Sequence, residues 1–170
     1  MKQIYLLRHA KSEWDEPYDS DLERSLSRRG KEQSKALREY LKESRVEFFQ
    51  CFVSPAERAQ KTNAALGKEN LRLPKTDVRE ASYGGDKEDL LFLLHGLSPS
   101  VRSVCLVGHN PGLEELGSAL LFGETSPTKF QKFPTASFLG LSFSEESWKD
   151  LSWGNCQLAV FWIPGQIGKE

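Results

Sequence analysis

The chain lacks four things: an apolar run long enough to span a bilayer, cysteines at C-x-x-C spacing, a Cys/His cluster with metal-ligand spacing, and an excess of charge of either sign. Each absence excludes something. A membrane span needs about 20 consecutive apolar residues. The amino-terminal residues lead into a short apolar run that ends in charge, which is the pattern of neither a signal peptide nor a span. There are only three cysteines, Cys51, Cys105 and Cys156. An odd count without a disulfide framework points to a reducing compartment, and the expected location is cytoplasmic. Cys51 and Cys105 lie inside apolar runs and read as small buried hydrophobes; the spacing offers no metal site. With 23 basic against 24 acidic side chains the net charge is −1. No global field draws the chain to nucleic acid or to an anionic membrane, so any attraction for an anion is local.

What is present is an ordinary globular composition over 170 residues, enough for one domain spanning 1–170 with a sizeable core. Ile4-Tyr5-Leu6-Leu7, Phe48 to Val53 and Val101 to Val107 read as buried strands. Ser27 to Ser44 reads as an amphipathic helix with Ala36, Leu37, Tyr40 and Leu41 on one face. Ser54-Pro55-Ala56-Glu57 and Asn110-Pro111 look like cap-plus-proline helix starts, the first helix running to about Leu66 and the second over Gly112 to about Leu121. Tyr83-Gly84-Gly85-Asp86 reads as a turn, with Asp86 capping a helix to Leu97. Lys11 to Leu26 and Phe122 to Pro134 read as loops, and Asn70 to Val78 as a connection with a short strand. Ala136 to Phe143 alternates with period two and reads as a half-exposed strand; Leu158 to Ile163 is a last strand. Strands and helices alternate over the first two thirds. The expected fold class is α/β, a three-layer α/β/α sandwich around a mostly parallel sheet.

Three of these strands hand charge or imidazole to one place. The first is followed by Arg8 and His9, the second by Ser54 to Arg58, the third by Gly108 and His109. Ligands of open parallel sheets bind beyond the carboxyl ends of the strands, so these residues predict a single anion site. Arginine suits a phosphoryl group because its planar fork donates paired hydrogen bonds and keeps its proton. Arg58, in the first turn of its helix, adds the helix amino terminus. A histidine among arginines stays neutral, and a neutral imidazole is a competent nucleophile toward phosphorus.

The same residues carry a resemblance. Leu7-Arg8-His9-Ala10 resembles the R-H-G or R-H-A signature of the histidine phosphatase superfamily. The segment from Ser54 to Thr62 resembles its S-P-x-x-R-A-x-x-T motif, and Val107-Gly108-His109-Asn110-Pro111 its V-G-H-N-P motif. Asp21 to Gly30 resembles the D-x-D-R-P-L-S-x-R-G stretch of the SixA-like branch, the protein phosphohistidine phosphatases, with Ser25 where proline is usual and Glu23 where aspartate is usual. The resemblance implies a phosphoglycerate mutase-like fold and a phosphorylated nucleophile at His9. It implies catalytic roles for Arg8, Arg58 and His109, with phosphate held by these three and Arg24. It also implies no metal or organic cofactor. The partner would be a phosphohistidine-bearing signalling protein; a small phosphorylated metabolite is the alternative within the enzyme class, and a non-catalytic phosphate-binding module the alternative outside it.

The proton donor is open. Glu80 is the nearest acidic residue after the second motif, and it also reads as an exposed carboxylate in a turn. The leaving group bears on this. An imidazole has a conjugate-acid pKa of about 6.5, whereas an alkoxide lies nearer the roughly 15.7 of water, so phosphohistidine needs far less acid assistance than a sugar phosphate. Several other residues have bland explanations. His95 reads as a helix-end or surface histidine, and Ser12 as a turn hydroxyl or a phosphate contact. Arg28, Arg29 and Lys31 read as a solvated helix start or a dock for an acidic partner, and Trp148, Trp153 and Trp162 read as packing rather than a binding platform.

Overall fold

The first strand, β1 (Lys2–Arg8), alternates between two hydrophobic layers and so sets the architecture. Ile4 and Leu6 pack into one cluster; Tyr5 and Leu7 pack into another. A strand covered on both faces reads as a continuous apolar run, which is why β1 carried no alternation in sequence. After it come α1 (Arg28–Glu43), β2 (Gln50–Val53), α2 (Glu57–Leu66), β3 (Lys75–Val78), α3 (Ala81–Gly84), α4 (Lys87–His95), β4 (Ser103–Gly108), α5 (Gly112–Phe122), β5 (Phe138–Phe143) and β6 (Gln157–Trp162). The protein is represented by a computed structural model that describes residues 1–67, 75–130 and 132–165. Positions 70–74 of the expected connection lie outside the described residues.

The six strands form one sheet in the order β3-β2-β4-β1-β5-β6. β1 to β4 pair in parallel, while β5 runs antiparallel to β1 and to β6. Leu37 and Leu41 of α1 and Ala59 and Leu66 of α2 close the Tyr5–Leu7 side. Leu90 and Leu94 of α4 and Leu113, Leu116 and Leu120 of α5 close the other. Each fully buried leucine contributes about 2 kcal/mol of transfer free energy. The fold is therefore the expected three-layer α/β/α arrangement. Among the described residues no helix is long and apolar enough to cross a membrane.

Several local expectations change. Neither cap-plus-proline start is used as read. Helix α2 begins at Glu57 with Ala56 at its cap, and α5 at Gly112 with Pro111 at its cap; neither has a side-chain cap. Ser54 and Asn110 are engaged elsewhere, as described below. The expected turn at Tyr83 is the short helix α3, after which Asp86 does cap α4, in a reciprocal pair with Asp89. β5 is buried on both faces rather than half-exposed. Gly140 marks close packing instead of solvent: a Cβ there would lie 2.7 Å from Val160 Cγ1 and 3.1 Å from the Tyr5 ring. The half-exposed strand is β6. His95 is neither a cap nor a free surface group; its Nε2 lies 2.7 Å from the Leu151 carbonyl and ties α4 to the turn before β6.

Candidate active site

The pairing register brings the carboxyl ends of β1, β4 and β2 level, with Leu7 beside Val107 and Val107 beside Val53. The residues that follow, His9, His109 and Ser54, therefore emerge together. Main-chain bonds from His9 N to Gly108 O and from Ser54 N to Val107 O, both 3.0 Å, extend the sheet pattern by one residue. A Cβ on Gly108 would stand 2.6 Å from the Ser82 carbonyl, so glycine there lets α3 close over the end of β4.

The imidazoles of His9 and His109 face each other with centroids 4.9 Å apart. His9 is buried, and its Nδ1 lies 2.7 Å from the Ala10 carbonyl. A carbonyl only accepts, so Nδ1 carries the proton and Nε2 keeps its lone pair. Burial first, then the Arg58, Arg8 and Arg24 charges, lower the His9 pKa to about 4 against the raising effect of that bond. The ring is neutral at neutral pH. His109 is held in the opposite tautomer. Its Nδ1 is 3.4 Å from Arg58 Nη2, a group with no acceptor, so the proton sits on Nε2 and is donated to Ser54 Oγ at 2.8 Å. Burial, His9 and Arg58 lower its pKa to about 3.

Three arginines ring the histidines. Arg8, at the end of β1, donates to the Phe133 carbonyl at 2.9 Å, and Asn110 Nδ2 donates to the same oxygen. Arg58, the second residue of α2, is buried and donates to the carbonyl of Asp21 at 2.7 Å and to its carboxylate at 2.9 Å. Arg24 arrives from the loop between β1 and α1. Its Nη1 donates to Ser12 Oγ, its Nη2 donates to Asp21 Oδ1 at 3.0 Å, and its guanidinium lies 3.6 Å from the centroid of the exposed Trp14 ring. The structure thus brings Arg8, His9, Arg24, Arg58 and His109 together, as the sequence pattern anticipated. Ser12, left open between two roles, supports Arg24.

The loop that delivers Arg24 is pinned at its base. Glu13 N donates to Ser25 O at 2.8 Å, Ser27 N to Lys11 O at 3.0 Å, and Lys11 N to the Gln33 side chain at 2.9 Å. A Cβ on Gly30 would fall 2.0 Å from the Lys11 carbonyl, so α1 meets the loop through glycine. Ser25, in place of the family's usual proline, accepts a hydrogen bond from Lys61 Nζ at 2.7 Å and so secures the loop to α2 by another route. Thr62 accepts from Ala10 N at 3.0 Å and donates to the Arg58 carbonyl at 2.7 Å, joining the strand end to α2.

Glu80 is not brought to the histidines by any described contact. It is exposed and borders a cavity shared with Gln50, Phe52, Arg79 and Asp89. The carboxylate that does enter the cleft is Asp21, whose position no spacing rule revealed. Burial opposes its ionisation, but hydrogen bonds from Tyr83, Arg58 and Arg24 outweigh it and hold the carboxyl well below the usual range. Tyr83, also missed, donates to Asp21 at 2.9 Å and presents its ring edge to His109 at 5.3 Å. The signal for Asp21 was its place at the head of the D-x-D-R stretch; nothing in the local sequence marked Tyr83.

A parallel-sheet α/β fold whose strand ends gather two neutral imidazoles and three guanidiniums is that of the phosphoglycerate mutase-like histidine phosphatases. Residues 4–90 match the sequence pattern of the histidine phosphatase superfamily (branch 1). The chain belongs to that superfamily, in its SixA-like branch, and is a phosphatase. It is 29% identical over 154 residues to the phosphohistidine phosphatase SixA of Escherichia coli strain K12, covering 89% of this chain and 91% of that one. It superposes on the protein histidine phosphatase SixA complexed with tungstate with a TM-score of 0.77 at 27% identity, over 95% of this chain and 97% of that one. An Agrobacterium tumefaciens protein assigned as a phosphohistidine phosphatase SixA gives 0.78 at 27% identity, over 96% and 99%.

Proposed function

We propose that the protein hydrolyses phosphohistidine on a partner protein by way of a phosphoryl group carried on His9. His9 Nε2 attacks phosphorus and the bond from phosphorus to the substrate imidazole breaks; that ring, protonated on its other nitrogen, takes the electron pair and leaves as neutral imidazole. Water then attacks the phosphoryl group on His9, releasing inorganic phosphate and restoring the neutral ring. Arg8, Arg24 and Arg58 bind the phosphoryl oxygens and offset the charge that builds in the transition state, and His109 Nδ1, which accepts from Arg58 Nη2, helps to hold that guanidinium in place.

One observation supports this substrate class above others. Among the described residues, the carboxylate bonded to the arginines of the cleft is Asp21, and three donors keep it ionised. It holds no proton to give. Glu80 is turned to another cavity, and Glu114 is engaged by Asn110. A cleft whose arginine-bound carboxylate has no proton in reserve suits a leaving group that departs easily, and imidazole does so where an alkoxide does not. The relatives named for phosphohistidine phosphatase activity support the same reading.

The test is a substrate comparison under one set of conditions: a phosphohistidine-bearing domain against a phosphoserine peptide and a sugar phosphate. The expected result is a kcat/KM for the phosphohistidine domain at least about a hundredfold above the esters, the scale of one missing general acid. Equal or faster ester hydrolysis would overturn the assignment in favour of a small-molecule phosphomonoesterase.

A further inference from the structure

Asp21 presents an anion where an anion is to be bound. Its Oδ1 accepts from Arg24 Nη2 at 3.0 Å, and its Oδ2 accepts from Arg58 Nη2 and from the Tyr83 hydroxyl, each at 2.9 Å. Its carbonyl takes Arg58 Nη1 as well. Two of the guanidiniums assigned to phosphate thus already have a carboxylate ligand. The exposures of the partners differ sharply: the arginine side chains are 7% and 5% exposed, while that of Asp21 is 47% exposed. The cations are fixed in the protein and the anion sits at the mouth.

This arrangement answers a physical problem. Two buried guanidiniums without a counter-ion are costly. A phosphoryl dianion solves it while bound, but the empty site needs another anion. Asp21 supplies one, and its position allows exchange. It opens a 3₁₀ turn, Asp21–Glu23, and residues 14–23 are all exposed, so the carboxylate can withdraw without opening either core layer. The base of the loop, by contrast, is bonded at Ser12–Leu26 and Glu13–Ser25. A phosphoryl dianion and the carboxylate cannot share Arg24 and Arg58 at these distances without like-charge repulsion in a cleft of low dielectric.

We infer that Asp21 is an internal competitor for the phosphoryl site, yielding Arg24 and Arg58 to the incoming phosphoryl group and reclaiming them as inorganic phosphate leaves. It therefore sets the affinity for product and keeps the site from being held by free phosphate. The alternative is that Asp21 only props the two arginines in their binding pose, and the two roles have opposite signs. If the carboxylate competes, its removal tightens phosphate binding; if it props, removal weakens it.

The inference rests on the phosphoryl site proposed above, so the experiment tests each separately. Binding of inorganic phosphate is measured by calorimetry for the wild type, Asp21→Asn, Tyr83→Phe and Arg58→Ala. If the closed form holds about nine tenths of the population, Asp21→Asn binds phosphate about tenfold tighter. It also shows product inhibition at correspondingly lower phosphate. Tyr83→Phe keeps the ring against His109 but removes one of the donors to Asp21; it should tighten binding about twofold to threefold, and it carries the test if the Asn variant does not fold. Unchanged or weaker phosphate binding in these variants overturns the competitor role. Arg58→Ala should lose phosphate binding; if it binds as well as the wild type, the phosphoryl site itself is wrongly placed.

Discussion

His109 Nε2 donates to the hydroxyl of Ser54 across 2.8 Å, and this bond decides which nitrogen of His109 looks into the cleft. Ser54 also accepts from Ala56 N at 3.1 Å, so its oxygen is held in place by the turn that starts α2. A serine that read as a helix cap serves instead to orient an imidazole. Ser54→Ala should leave the fold intact and strand a buried N–H. The cost of such a group, about 1–3 kcal/mol, translates into a loss of roughly 5-fold to 150-fold in kcat/KM. Steady-state kinetics with circular dichroism as the control measures it, and an unaltered kcat/KM would remove Ser54 from the mechanism.

With Nδ1 of His9 committed to the Ala10 carbonyl, the nucleophile is Nε2. His9→Ala should therefore lower turnover by at least about four orders of magnitude, as loss of a nucleophile does in other hydrolases. Incubation of the wild type with a reactive phosphoramidate followed by rapid alkaline quench should trap phosphate on His9. The adduct should be acid-labile and absent from the variant. Phosphate found on another residue would displace His9 from this role.

Acid should weaken the fold through the same groups. The pKa values of His9 and His109 are lowered to about 4 and about 3 by burial first, with the neighbouring arginines, and for His109 also His9, adding to it. Between the unfolded value near 6.5 and these folded values, the unfolded chain binds protons that the native state refuses, so stability falls as pH falls through that window. Asp21, held ionised by Tyr83, Arg58 and Arg24, adds stability that is present above the unfolded aspartate value and lost below it. Both effects have the same sign. The urea midpoint should drop steadily from pH 7 to pH 4, and the slope should be shallower in a His9→Asn, His109→Asn double variant. NMR titration of the wild type should find neither ring half-protonated at pH 6.

The loop that carries Arg24 depends on a glycine. A methyl group at Gly30 would stand 2.0 Å from the Lys11 carbonyl, and backbone offers little room to retreat. Gly30→Ala should destabilise the protein by about 1–3 kcal/mol, the usual range for forced overpacking. It should also raise KM more than Ser54→Ala does, because the displaced segment holds Ser12 and Arg24. Thermal unfolding and kinetics on the surviving folded fraction check both parts; a variant with the wild-type midpoint would refute the contact.

Much of the site was legible because its residues sit next to strands. Apolar runs end at Arg8, His9 and His109, and a parallel sheet aligns such ends, so a list of runs becomes a list of neighbours. What was illegible depends on partners far along the chain. Ala136 to Phe143 alternates like a half-exposed strand, yet its Gly140 faces Tyr5 and Val160. Ser54 and Asn110 carry valid capping signals that lose to His109 and Phe133. Glu80 was close to the second motif in sequence but not to the histidines through any described contact.

The layers, the strand ends and the identity of the residues that meet there are written in the chain's own pattern, because hydrophobic periodicity and motif spacing are local properties. How those residues are charged and joined is set by folding. The tautomers of His9 and His109 follow from one carbonyl, one hydroxyl and one guanidinium. The carboxylate of Asp21 reaches Arg58, 37 positions away, and Tyr83, 62 positions away. Proton positions and counter-ions depend on distances of about 3 Å between segments remote in the chain, and folding sets those distances.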